Sequence, residues 1–159
     1  MKHWKPAVIA ALWSGALYAA PMPVVASFSI LGDVAQQIGG ERVAVQSLVG
    51  ANQDAHAYNL TSSDIKKIRE ARLVLLNGLG LEKAELQRAV KQSKVASAEA
   101  TAGIKPLAAD EHHHEHNHGH DHDHGEFDPH VWNDPVLMPR HAPNVAHSLL
   151  QADPAGRRY

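Results

Sequence analysis

Apolar and polar positions along this chain fall into alternating blocks of strand and helix. "VVASFSI" (24–30) is an apolar, β-rich run with the pattern of a buried strand. Behind it Ile30, Leu31, Val34, Ala35 and Ile38 recur at helical spacing, and Gly39 and Gly40 stop that helix. "RVAVQSLVG" (42–50) predicts a second strand, and the polar stretch "ANQDAHAYNL" (51–60) a loop after it. Thr61 and Asp64 are spaced as a capping box, Thr-x-x-Asp, at the head of a helix that turns Ile65 and Ile68 inward. Lys66, Lys67, Arg69 and Arg72 then lie outward or near its end. "LVLLNG" (73–78) is continuously apolar, as in a central parallel strand covered on both faces. "LEKAELQRAVKQ" (81–92) predicts a third helix and "KVASAEAT" (94–101) a fourth strand. The regular alternation of strand and helix predicts an α/β fold, a parallel sheet with flanking helices.

The two ends depart from that rhythm. Lys2 and Lys5 precede the apolar run "AVIAALWSGALYAA" (7–20), which ends on the small residues Ala19 and Ala20. This is the layout of a cleavable export signal over 1–20. An anchoring helix needs about 20 apolar residues, and Pro21 and Pro23 interrupt this run too early. Cleavage after Ala26 would also meet the small-residue rule but would consume the first strand. The mature chain is therefore expected to be exported and soluble. Towards the other end, Asp134 and Pro135 read as an N-cap followed by Pro in a first helical turn. Leu149 and Leu150 point to a helix near the end, and Asp153–Pro154 to the opening of another, just before the sequence stops at "GRRY". That pattern is expected of a truncated chain, one lobe of something larger.

Composition narrows the chemistry. A formal net charge of −2 leaves no basic footprint for nucleic acid. There is no cysteine, so disulfides, thiolate metal sites, a Cys nucleophile and a Cys-linked lipid anchor are excluded. The chain has 13 histidines, and any transition-metal site must combine imidazole with carboxylate. Such a donor set suits zinc, nickel, copper or iron better than calcium or magnesium.

The candidate ligand histidines occupy three settings. His56 sits in the loop after the second strand, between Asp54 and Tyr58. Loops at the carboxyl ends of parallel strands line the ligand crevice of open α/β sheets, so His56 is either a metal ligand or a surface histidine of a polar loop. His130 lies in "EFDPHVWNDP" (126–135), gripped between Pro129 and Val131–Trp132. A ligand fixed in advance loses little entropy on binding metal, and Asp128, Asn133 or Asp134 is placed to accept the proton on its second ring nitrogen. The competing reading is a structural histidine packed on Trp132. The third setting is 111–125, where His112, His113, His114, His116, His118, His120, His122 and His124 alternate with small or acidic residues. With nothing to bury, this segment is expected to be a surface loop that gathers several ions at near-equivalent partial sites, or else an inert solvated stretch. No nucleophile elbow, phosphate loop, dinucleotide fingerprint or His-Glu-x-x-His is present, and no paired carboxylates point to hydrolysis, so no enzyme is expected.

Three stretches together carry a resemblance: "VVASFSILGDVAQQIGGERV", "LVGANQDAHAYNLTSSDIKKIREARLVLLNGLGLE" and "DPHVWNDP". They resemble the zinc- and manganese-binding solute-binding proteins of bacterial ABC importers. The resemblance implies two α/β lobes joined by a long helix, with the metal in the cleft between them. It implies that 21–134 is the N-terminal lobe and that 135–159 begins the linking helix. The Asp-x-His-x-Tyr and Asp-Pro-His-Val-Trp motifs then make His56 and His130 the first lobe's metal ligands. A further histidine and a carboxylate would come from the second lobe, which this chain does not contain. The His- and acid-rich segment before the second motif favours Zn²⁺ over Mn²⁺. Pro139 and Pro143 fall within the expected linking helix, where each costs about 3 kcal/mol, so that helix is expected to be kinked, shortened or unfolded. The implied function is capture of Zn²⁺ in the periplasm, as a monomer, for delivery to an inner-membrane ABC permease. The alternatives are a periplasmic metal buffer working through the eight clustered histidines and a manganese receptor of the same family.

Overall fold

The computed structural model of the chain describes residues 20–105 and 127–158. The expected export signal lies outside the described residues except for Ala20, and the eight clustered histidines of 112–124 lie outside them entirely. Four strands, β1 (Met22–Phe28), β2 (Val43–Val49), β3 (Leu73–Leu76) and β4 (Ala96–Glu99), form one sheet in the order β2-β1-β3-β4. All three neighbouring pairs are parallel, with Met22 opposite Val43, Val24 opposite Leu73 and Leu73 opposite Ala96. The α/β parallel-sheet class read from the sequence is the class observed. The four helices are α1 (Ser29–Gly39), α2 (Ser62–Glu70), α3 (Ala84–Ser93) and α4 (Met138–Ala152).

The strand order dictates which face each helix covers. The β1–α1–β2 crossover steps one way along the sheet, whereas β2–α2–β3 and β3–α3–β4 step the other way. Right-handed crossovers running in opposite directions put their helices on opposite faces. The core divides accordingly. Side chains alternate across a strand, so Val24, Ala26 and Phe28 of β1 and Leu73 and Leu75 of β3 meet Leu31 and Ala35 of α1 and Val145 and Leu149 of α4. Val25, Val74 and Leu76 point the other way, onto Ile68 of α2 and Leu86 and Val90 of α3. Burial on both faces is why β1 and β3 read as continuous apolar runs.

Local chemistry sets the element ends. Thr61 accepts the Asp64 backbone N–H through its side chain, and Asp64 accepts the Thr61 N–H in return, so the expected capping box is formed. Asp64 is buried with Ile68, while Ile65 is only half-buried. In α1 the buried stripe is Leu31, Gly32 and Ala35. Ile30 and Ile38 flank it and stay exposed, because one narrow stripe contacts the sheet and α4. Gly32 faces β2 so closely that a Cβ there would collide with the Ser47 hydroxyl. β4 is shorter than its sequence pattern predicts, and among the described strands it is an edge strand paired with β3.

The helix expected from Pro135 starts instead at Met138. The Asp134 side chain accepts the Val136 N–H, and its carbonyl accepts from Leu137 and Met138, so a separate turn precedes the helix. Pro139 falls in the first turn, where a missing N–H costs nothing. The helix also runs on through Pro143, giving 15 residues in all. It is held from outside: Asn144 donates to the carbonyls of Ala100 and Ala102, and Arg42 pairs with Asp153 at its end. His141, fully buried in α4, has no hydrogen-bond partner on either ring nitrogen among the described residues. Among the described residues no helix is long and apolar enough to cross a membrane.

Candidate metal centre

The connections leave β1 and β3 in opposite directions, so the carboxyl ends of these neighbours form the switch point at which open α/β sheets bind ligands. The two singled-out histidines meet at this edge. Although 74 residues apart in sequence, His56 and His130 approach to 3.2 Å between their Nε2 atoms. Their ring centroids are 5.3 Å apart and the planes are tilted by 57°. Both side chains are exposed, His130 by 42%.

Each histidine follows an Asp-x-His turn in which the aspartate accepts the histidine's backbone N–H, at 2.8 Å from Asp54 and 2.9 Å from Asp128. Asp128 does more. Its Oδ1 also lies 2.6 Å from His130 Nδ1, so it is Asp128, rather than Asn133 or Asp134, that partners the second ring nitrogen. With the Nδ1 proton given to a carboxylate, Nε2 carries its lone pair outward, ready for a metal. The His130 backbone N–H is the main influence holding the Asp128 carboxyl below its ordinary 3.8, against burial and with help from the ring.

The loop carrying His56 is tied down beneath the histidine. Lys83 Nζ donates to the Ala57 carbonyl and Asn59 Oδ1, both at 3.1 Å. The Tyr58 hydroxyl is engaged elsewhere: it donates to Asp64 Oδ2 at 2.7 Å. Burial, and then the Asp64 carboxylate, push the Tyr58 phenol up from 10.0 to about 12. Burial would raise Asp64, but donation from the Thr61 and Tyr58 hydroxyls, the Thr61 N–H and the Lys67 ammonium outweighs it and leaves the carboxyl below 3.8.

Two contacts dock the loop carrying His130 onto the ends of β1 and β3. Trp132 packs on Phe28 at the end of β1, with ring centroids 4.5 Å apart, and stands edge-on to His130 at 5.2 Å. At the end of β3, Asn77 Nδ2 donates to the Pro129 carbonyl at 3.0 Å. A buried carboxylate supports this corner: Glu82 accepts from Ser27 Oγ at 2.6 Å, from the Asn77 N–H at 2.6 Å and from the Gly78 N–H at 3.1 Å. Gly78 sits at φ +89°, where a Cβ would also come within 2.8 Å of the Thr101 hydroxyl, so the turn requires glycine. Asn77 and Glu82 escaped the sequence reading. The available signal was a polar Asn directly after an all-apolar strand, and a Glu directly after the uncharged "LGL".

The spacing of the two nitrogens suits a shared ion. Zinc–imidazole bonds of about 2.0–2.1 Å in tetrahedral array put two nitrogens about 3.3 Å apart; right-angle ligands at the same length put them about 2.9 Å apart. The observed 3.2 Å lies between, nearer the tetrahedral value. Among the described residues no group of three or more His, Cys, Asp or Glu side chains is gathered to hold a metal. The pair is thus a two-nitrogen face open to solvent, on which an ion, if bound, would retain positions for other ligands.

The profile of one family, zinc-uptake complex component A periplasmic (ZnuA), matches residues 24–159. The chain is 33% identical over 132 residues to the iron-binding protein YfeA of Yersinia pestis, an alignment covering 83% of this chain and 40% of that protein. It is 29% identical over 138 residues to the manganese ABC transporter substrate-binding lipoprotein PsaA of Streptococcus anginosus, covering 87% of this chain and 44% of the relative. Among solved structures it is similar to a manganese-bound periplasmic metal-binding protein from Candidatus Liberibacter asiaticus. That match has a TM-score of 0.70 and 33% identity, covering 84% of this chain and 47% of the other. The chain therefore spans less than half the length of these relatives. With a parallel α/β lobe, paired histidines at its switch point and a profile match over most of its length, the chain belongs to the ZnuA family of periplasmic metal-uptake components.

Proposed function

We propose that the chain is the N-terminal lobe of a periplasmic metal-binding component of an ABC importer, which captures Zn²⁺ and hands it to an inner-membrane permease. The observation that carries this reading is the 3.2 Å approach of His56 and His130 from loops far apart in sequence. An all-nitrogen pair, one member oriented by a carboxylate, is a donor set for a borderline-soft ion. The names of the relatives are those of binding and substrate-binding proteins, which supports capture of a metal rather than catalysis. In this reading residues 1–20 direct export, 21–134 form the lobe and α4 leads towards the rest of the site. The chain acts as a monomer, with no role in nucleic-acid binding. His112, His113, His114, His116, His118, His120, His122 and His124 form an accessory collector and favour zinc as the cargo.

A manganese cargo is the second reading, favoured by the manganese named for PsaA and bound in the similar solved structure. Competitive titration with Zn²⁺ and Mn²⁺ tests both, on the whole chain, on His56→Ala, on His130→Ala and on a deletion of 111–125. Each alanine variant is expected to weaken the tightest zinc site by about tenfold or more. The deletion is expected to remove further ions while sparing that site. Loss of all zinc binding on deletion, with His130→Ala unaffected, would instead make the chain a metal buffer acting through its clustered histidines. Displacement of bound zinc by equimolar Mn²⁺ would favour the manganese receptor.

A further inference from the structure

We infer that Asn77 is the positioning residue for His130, acting as a clasp that fixes the Asp-Pro-His turn to the end of β3; this rests on the metal-capture reading above. Asn77 is fully buried, and its own backbone leaves it little freedom. Its N–H donates to Glu82 Oε1 at 2.6 Å. Its carbonyl accepts from the Thr101 hydroxyl at 2.5 Å and the Thr101 N–H at 3.1 Å. A side chain so anchored has a defined direction. Its Nδ2 spends one proton on the Gly78 carbonyl and the other on the carbonyl of Pro129, both at 3.0 Å. The second bond spans 52 residues and is made to the residue immediately before His130.

A second fastening of this turn is Trp132 on Phe28, immediately beyond the histidine's far neighbour. The two fastenings grip the turn from the ends of β3 and β1, the neighbours that bound the switch point. Apolar ring packing limits where Trp132 can lie, but it is non-directional about the backbone. The hydrogen bond to Pro129 fixes the rotation of the turn and hence where His130 Nε2 points. Two donors are required here, since the Gly78 and Pro129 carbonyls both accept from Nδ2, while Asn77 Oδ1 has no partner among the described residues. The asymmetry explains why the isosteric carboxylate cannot substitute: an aspartate would offer no proton to either carbonyl.

The experiment is a double-substitution cycle on the whole chain, titrated with Zn²⁺, using Asn77→Asp, His130→Ala and the pair, with the visible spectrum of bound Co²⁺ as a second readout. Asn77→Asp is expected to weaken zinc binding about 10- to 100-fold and to alter the Co²⁺ spectrum. In the His130→Ala background the same change should shift affinity by no more than about twofold, because its effect passes through His130. Thermal midpoints in both backgrounds record the purely structural cost, which should be similar in each. If Asn77→Asp does not fold, Asn77→Ser, which keeps one donor, serves in the same cycle. An equal loss of affinity with and without His130 would overturn the clasp. Insensitivity of zinc binding to His130→Ala itself would instead overturn the metal-capture reading.

Discussion

His56 and His130 each follow an aspartate two residues earlier, yet the two aspartates perform different work. Among the described residues Asp54 accepts only the backbone N–H of His56, whereas Asp128 accepts the backbone N–H and also faces the Nδ1 of His130. Only Asp128 can fix a ring tautomer. Asp128→Ala is therefore expected to lower zinc affinity by about 10- to 100-fold, and Asp54→Ala by clearly less, in paired titrations; equal losses would mean that turn geometry matters more than the tautomer. The Asp-x-His pairs and their loops were legible in the sequence, because a turn-forming Asp two residues ahead of a His is a local pattern. Which of Asp128, Asn133 and Asp134 meets the ring was not legible, since all three lie within reach along the chain. Folding settled it: Asp134 turns away to the Val136 N–H.

At the scale of elements, local rules held where both partners are near in sequence and failed where a distant contact intervenes. The capping box at Thr61 and Asp64 and the stop at Gly39–Gly40 needed only neighbours. α4 is the opposite case. Judged alone, Pro143 should break it; in the structure Asn144 is bonded to two carbonyls beyond β4, Val145 and Leu149 are in the core, and Arg42 pairs with Asp153. Tertiary packing outweighs a local penalty of about 3 kcal/mol. The penalty is offset rather than abolished, so Pro143→Ala is expected to stabilise the chain by about 1–3 kcal/mol, read as a higher midpoint in thermal or urea unfolding. An unchanged midpoint would show that the helix accommodates the ring without strain at this position.

For the molecule as a whole, groups whose pKa values are shifted, His141, Asp64 and Tyr58 among them, define a window of pH stability. Burial lowers the His141 pKa below 6.5, so on acidification the unfolded chain takes up a proton that the folded chain refuses, and stability falls as pH drops below about 6.5. Asp64, held below 3.8, gives stability that is present above that value and lost as pH falls further. Tyr58, raised from 10.0 to about 12, gives stability that is present below 10 and lost as pH rises towards 12. The thermal midpoint should therefore be highest between about 6.5 and 10. His141→Leu should flatten the limb below about pH 6.5 while leaving the alkaline limb in place; an acid limb unchanged in this variant would assign it to other groups.

The sequence by itself determined the class of the fold, the order of its elements and the two loops that matter. Apolar periodicity, capping residues and Asp-x-His turns are short-range properties that each segment carries alone. Only the tertiary structure decided that His56 and His130 meet, and that Phe28, Asn77 and Glu82 build the corner on which His130 rests. The reason is physical. Parallel strands pair through crossovers, so residues at the carboxyl ends of β1, β2 and β3 become neighbours only once the order β2-β1-β3-β4 is formed. Nothing in the local pattern of "LVLLNGLGLE" says that its one buried asparagine will hold a carbonyl 52 residues away.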